Sequence, residues 1–162
     1  MTVYSYGILL YRKVRGKKNR KSTEVFLIQP DGPHFKFNVS DDIWGFPKGR
    51  KEQGEKPLEV AKREFCEEVG MEAPDLDYKE LNPLVTYRGK VITIFAADAT
   101  GLNVEWKGQN VSKKEHVENG VSRMYGETKN GNWLPLEEAL TKIGRGQRNV
   151  LEDFMKEFKF SK

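Results

Sequence analysis

Tyr, Val, Ile and Leu crowd residues 3 to 11, and a second apolar run follows at 24 to 30, a composition that predicts two strands paired across the basic stretch between them. Gly32-Pro33 marks the turn that follows, and Trp44 to Phe46 predicts a further short strand. From residue 57 the period changes. At about 100° per residue, Leu58, Ala61, Phe65 and Val69 fall on one stripe of a helix. Pro57 suits its first turn and Gly70 the position just past its last. Residues 78 to 87 and 90 to 98 predict a hairpin turning at Arg88-Gly89-Lys90, with the apolar run Val91 to Ala97 central in a sheet. Residues 101 to 131 are polar, carry glycines and show little periodicity, which predicts a long lid or substrate-recognition loop. Leu136 to Ile143 and Gln147 to Phe158 predict two helices parted by Gly144 and Gly146, and Val150, Leu151, Phe154, Met155 and Phe158 form a core-packing stripe on the second. Mixed strands followed by helices, with a helix between them, imply an α/β fold: an α/β/α sandwich around a mixed β-sheet.

Composition adds limits to this picture. A chain of 162 residues suits one domain over 1–162, and it shows no internal repeat, low-complexity segment or linker. The apolar run at residue 91 is far short of the about 20 residues of a membrane span, and the N-terminus does not read as a signal peptide. Cys66 is the only cysteine, so no internal disulfide forms, which fits a reducing cytoplasm. It is expected to be a partly buried helix residue and not a nucleophile, since neither histidine is near it in sequence. The net charge of +4 is concentrated at Arg12, Lys13, Arg15, Lys17, Lys18, Arg20 and Lys21. That run is expected to be a solvated hairpin tip. The competing reading is a collector of phosphates or RNA, which lacks the interleaved aromatics that stack on bases.

The candidate chemistry lies on the first helix. Steps of three and four residues bring Glu64, Glu67 and Glu68 to one side of it. Two readings stand: a solvated acidic face, or hard oxygen ligands for a divalent ion such as Mg2+ or Mn2+. Glu67 has Arg63 four residues away for an ion-pair ladder, whereas the helical neighbours of Glu64 and Glu68 include no cation. Lys48 and Arg50 are placed to neutralise phosphate oxygens or to stand as surface charges. Phe35, near His34 and Phe37, either stacks on a base or packs in the core.

Gly49, five residues, Glu55, seven residues, Arg63-Glu64-Phe65, one residue, Glu67-Glu68, one residue, Gly70-Met71: this spacing resembles the Nudix hydrolase signature at every defined position. Trp44-Gly45-Phe46-Pro47-Lys48-Gly49 resembles the lead-in of members acting on dinucleoside polyphosphates, inositol pyrophosphates or capped RNA. The resemblance implies a Nudix-type sandwich and hydrolysis of a pyrophosphate bond in a nucleoside diphosphate linked to another group. It further implies Mg2+, or Mn2+ in its place, held by Glu64, Glu67, Glu68 and the Gly49 carbonyl, with Arg63 orienting carboxylates through Glu55 or Glu67. Glu127, six residues before Trp133, matches an acidic position from which family members draw a general base; a box glutamate is the alternative base. Tyr87, sixteen residues past the box, stands near a tyrosine that marks the dinucleoside polyphosphate branch, or is a plain strand residue. The implied substrate is a dinucleoside polyphosphate or related nucleotide. Damaged nucleoside triphosphates and capped RNA ends are the alternatives, and a nucleotide-sensing module without turnover is a third, against which the intact carboxylate set argues.

Overall fold

Strand β1 (Tyr4–Arg15) is the one against which the others are laid. The computed structural model describes residues 2–31, 42–86 and 88–158, so the readings made for Phe35, His34, Tyr87 and the Gly32-Pro33 turn lie outside the described residues. β1 pairs antiparallel with β2 (Lys21–Pro30) and with β3 (Lys48–Arg50). It pairs parallel with β6 (Val91–Asp98), a connection that needs a crossover, and helix α1 (Pro57–Val69) lies within it. β4 (Lys79–Glu80) and β5 (Leu84–Val85) pair antiparallel with β6, and β9 (Thr128–Pro135) closes the other edge beside β2. The sheet is therefore mixed, with seven strands among the described residues.

Alternation along β1 gives it two buried faces. Ile8 and Leu10, with Phe26, Ile28, Phe95 and Trp133, pack against Ala61, Phe65 and Val69 of α1. Leu9 and Tyr11, with Val25, Leu27 and Ile94, pack against α2 (Leu136–Lys142) and α3 (Arg148–Glu157), where Phe154 is fully buried. This is the α/β/α sandwich around a mixed sheet that the pattern predicts.

Four local expectations are corrected. The segment 101 to 131 is not an irregular loop: β7 (Lys113–Glu118) and β8 (Val121–Gly126) form a two-stranded ribbon, and β9 begins at Thr128. Trp44 to Phe46 makes only isolated bridges, Gly45 to Ile28 and Trp44 to Ile143, because the Phe46 N–H is taken by the Gln147 side chain at 2.8 Å and Pro47 offers no donor. The basic run is not all hairpin tip. β1 runs through Arg15, and Arg12 pairs with Glu24 at 2.7 Å while its guanidinium stacks 4.3 Å from the Trp133 ring. Cys66 is exposed, since it falls opposite the α1 stripe.

The ribbon segment also completes α1. The last four carbonyls of a helix lack intrahelical partners. Here Gly70 N–H donates to the Cys66 carbonyl at 2.9 Å, Ser112 N–H to Glu67 at 2.8 Å and Lys107 N–H to Val69 at 2.7 Å. The Thr128 hydroxyl donates to the Glu68 carbonyl and accepts from Trp106 Nε1 at 2.9 Å. Thr128 is buried, so Thr128→Val keeps its shape and strands an indole N–H and a helix carbonyl. A loss of about 1–3 kcal/mol in urea unfolding is expected. An unchanged midpoint would show that water replaces the hydroxyl without cost.

Candidate active site

Gly7 in β1 is the position over which the signature loop crosses. A Cβ there would collide with the Pro47 carbonyl and the Lys48 side chain, so glycine lets β3 lie close while Ile8 N–H donates to Pro47 O at 3.0 Å. β3 thereby sets Gly49 directly against α1. A Cβ on Gly49 would fall onto the Glu64 carboxyl group. Between β3, α1 and the ribbon root lies a cleft of about 750 Å³. Ile28, Trp44 and Phe46 form an apolar side, and Glu64, Glu68 and Glu127 an acidic one.

Carboxylate oxygens of Glu64, Glu67 and Glu127 lie within 4.8 Å of one another, from elements 60 residues apart in sequence. One guanidinium holds much of this together. Arg63 Nε donates to Glu55 at 2.7 Å, Nη1 to Glu64 at 3.0 Å and to Glu67 at 3.2 Å, and Nη2 to Glu55 at 2.9 Å and the Arg50 carbonyl at 3.0 Å. Its pKa is pushed further up, chiefly by the hydrogen bond to Glu55. The same bond, joined by the Glu52 N–H, holds the Glu55 carboxyl below its usual value. Arg63 thus reaches both partners expected for it, and Glu64 besides.

Burial pushes the Glu64 carboxyl up, and the neighbouring Glu67 charge adds to that. Glu68 is pushed up to about 8, mainly by burial, although Lys48 N–H donates to its Oε1 at 2.7 Å. On the far side, Lys114 Nζ lies 3.3 Å from Glu127 Oε1, and that carboxylate raises the Lys114 pKa. Facing the acids, Lys48 and Arg50 line the cleft. Lys90 is close enough that, after burial, their charges are what lowers its pKa.

The donor set fits a divalent ion. Hard carboxylate oxygens converge, and two of the acids carry raised pKa values because burial and like charge disfavour their ionised forms. Of the residues predicted from sequence, Glu64, Glu67, Glu68, Glu127, Gly49, Arg63, Lys48 and Arg50 all gather here. Sequence reading missed Lys114, hidden in what read as loop, and Gln147, whose amide props Phe46 against the cleft. No local pattern marks Gln147.

A family model described as NUDIX domain matches residues 13–154. The chain belongs to the NUDIX family. A bis(5'-nucleosyl)-tetraphosphatase [asymmetrical] from Mus musculus is 32% identical over 112 residues, which are 65% of this chain and 71% of that protein. Among solved structures, a C. elegans Ap4A hydrolase in a binary complex aligns with a TM-score of 0.64 at 20% identity, covering 97% of this chain and 98% of that one. A mutT/nudix family protein from Listeria innocua aligns with a TM-score of 0.66 at 13% identity, covering 97% and 94%. These structural likenesses establish the fold. With NUDIX membership comes the reaction class, hydrolysis of a pyrophosphate bond in a nucleotide substrate, and the acidic cluster is compatible with the divalent metal on which NUDIX hydrolases depend. Among the described residues no helix is long and apolar enough to cross a membrane.

The raised Glu68 value has a testable sign. A carboxyl whose folded pKa lies above its unfolded value favours folding while protonated, and that contribution fades as pH rises through about 8. Glu68→Gln stays neutral and keeps an oxygen for the Lys48 N–H. In chelator, wild type and Glu68→Gln should therefore melt together near about pH 5, with the variant melting higher above about pH 8. Equal melting temperatures across that range would mean that Glu68 ionises without penalty.

Proposed function

We propose that the chain hydrolyses dinucleoside polyphosphates with Mg2+, Mn2+ serving in its place. The observation that carries this reading is the convergence of Glu64, Glu67 and Glu127 within 4.8 Å, in a cleft with an apolar side and with Lys48 and Arg50 beside it. Such a site has acids for an ion, cations for several phosphates and a surface for a base. The likeness to an asymmetrical tetraphosphatase supports the substrate class.

In this reading Glu64, Glu67 and Glu68, with the Gly49 carbonyl, would hold the ion. When bound, the ion neutralises phosphate oxygens and makes water acidic enough to attack at neutral pH. Glu127 takes the proton of the attacking water, worth typically about 10²- to 10⁴-fold. Its N–H donates to the Ser112 carbonyl at 2.8 Å, which fixes it to the root of the ribbon. Lys114 then meets either Glu127 or a phosphate, and Lys48 and Arg50 bind the remaining phosphates. Arg63 keeps Glu64 and Glu67 in place as phosphates enter and leave. Phe35 and Tyr87, outside the described residues, are kept as substrate-binding candidates, and residues 1–162 are taken as one domain.

Incubation with Mg2+ and a panel of diadenosine tetraphosphate, nucleoside triphosphates, ADP-ribose, diphosphoinositol compounds and capped RNA, resolved by chromatography, tests the proposal. Preferential cleavage of diadenosine tetraphosphate that falls at least about 100-fold in Glu67→Gln is expected. Preference for another compound replaces the substrate assignment. Ligand-induced thermal stabilisation without product would replace the enzyme by a sensing module. Gly49→Ala, whose Cβ displaces Glu64, should lose both the activity and the Mg2+-dependent rise in melting temperature while the metal-free protein stays folded. A normal Mg2+ response in that variant would remove Gly49 and Glu64 from the metal site.

A further inference from the structure

The β7–β8 ribbon carries two side-chain faces. Residues opposite one another in an antiparallel pair share a face, as do residues two apart along a strand. The register sets Lys114 against Tyr125, His116 against Arg123 and Glu118 against Val121. These six lie on one face, and Lys114 at its inner end lines the catalytic cleft. Glu115, Val117, Ser122 and Met124 occupy the opposite face, where Ser122 Oγ donates to Glu115 at 2.6 Å.

Moving outward from the carboxylates, the first face carries a cation, an aromatic pair and a second cation. His116 meets Tyr125 edge to face at 6.4 Å between ring centroids. Both rings and Arg123 line a hollow of about 360 Å³. Lys114 and His116 are two residues apart, roughly 7 Å along the strand. The ribbon is also fixed at its base, since Ser112 N–H bonds the Glu67 carbonyl and Glu127 N–H the Ser112 carbonyl, each at 2.8 Å.

We propose that this face is the subsite for the second nucleoside of the substrate. Resting on the dinucleoside polyphosphate reading, it places the base away from the hydrolysed bond on Tyr125 and His116, while Lys114 and Arg123 meet the phosphates leading to it. A single nucleoside suits the face better than a nucleic acid strand. It offers one aromatic pair, and Glu118, next along, repels a continuing phosphate backbone.

The test compares kcat and KM for diadenosine tetraphosphate and for adenosine tetraphosphate, which keeps four phosphates and lacks the second nucleoside; if the latter is not cleaved, its inhibition constant is used. Tyr125→Ala is expected to raise KM for diadenosine tetraphosphate about tenfold more than the corresponding constant for adenosine tetraphosphate, with kcat little changed. Tyr125→Phe, which keeps the ring, restores the wild-type values, and Met124→Ala on the opposite face has no effect. Equal losses for both compounds, no loss, or the same loss in Met124→Ala would overturn the subsite while leaving the substrate reading standing. Wild-type protein that leaves diadenosine tetraphosphate uncut overturns that reading and the subsite with it.

Discussion

Carboxylates spaced three and four residues apart on one helix repel each other, and the surroundings of α1 are arranged to hold them together. Arg63 alone bonds Glu55, Glu64 and Glu67, and Lys48 N–H and Lys114 meet Glu68 and Glu127. Lys48 and Arg50 face these acids across a cleft with a partly apolar wall, and burial falls hardest on Glu64 and Glu68. Charge buried without compensation shifts its pKa or attracts a counterion. The raised values of Glu64 and Glu68 are the first response, and the converging carboxylate oxygens are compatible with the second.

The sheet exists to hold that helix at a fixed distance from β3. Ile8 and Leu10 on β1 meet Ala61 and Phe65 on α1, while Gly7 of the same strand admits Pro47 and Lys48 at close range. Strand and helix therefore converge where Gly49 and Glu64 touch. Behind the sheet, α3 does more than cover the core, because Gln147 at its start supports the cleft through the Phe46 N–H.

The core and the acid cluster were legible because their signals are local and periodic. The stripe of Phe65 and Val69, the Gly49 to Met71 spacing and the Val91 to Ala97 run each point to one element, and each formed within a residue or two. The ribbon was missed although its signal was present. Asn119-Gly120 is a two-residue hairpin turn, both residues with positive φ, flanked by strands that bury no continuous face. Reading by apolar alternation fails for a ribbon whose two sides are polar or mixed. Arg12 misled for the opposite reason, since a cation stacked on Trp133 and paired with Glu24 looks solvated until its distant partner is known. Contacts across about a hundred residues, such as Gln147 with Phe46, leave no trace in local pattern.

What joins ribbon and acids is the frayed end that every helix has. Gly70 N–H meets the Cys66 carbonyl, Ser112 that of Glu67, Thr128 that of Glu68 and Lys107 that of Val69. Three of the four partners come from residues 107 to 128, so the last turn of α1, which carries Glu67 and Glu68, is fixed by the segment that also carries Lys114, Glu127 and the aromatic pair. A glycine-capped helix in water would need none of them. Ser112 N–H to the Glu67 carbonyl and Lys114 to the Glu127 carboxylate both tie the ribbon root to the acids. A long polar insertion, which reads as the least constrained part of the chain, is in this fold the part that sets the position of the carboxylate face.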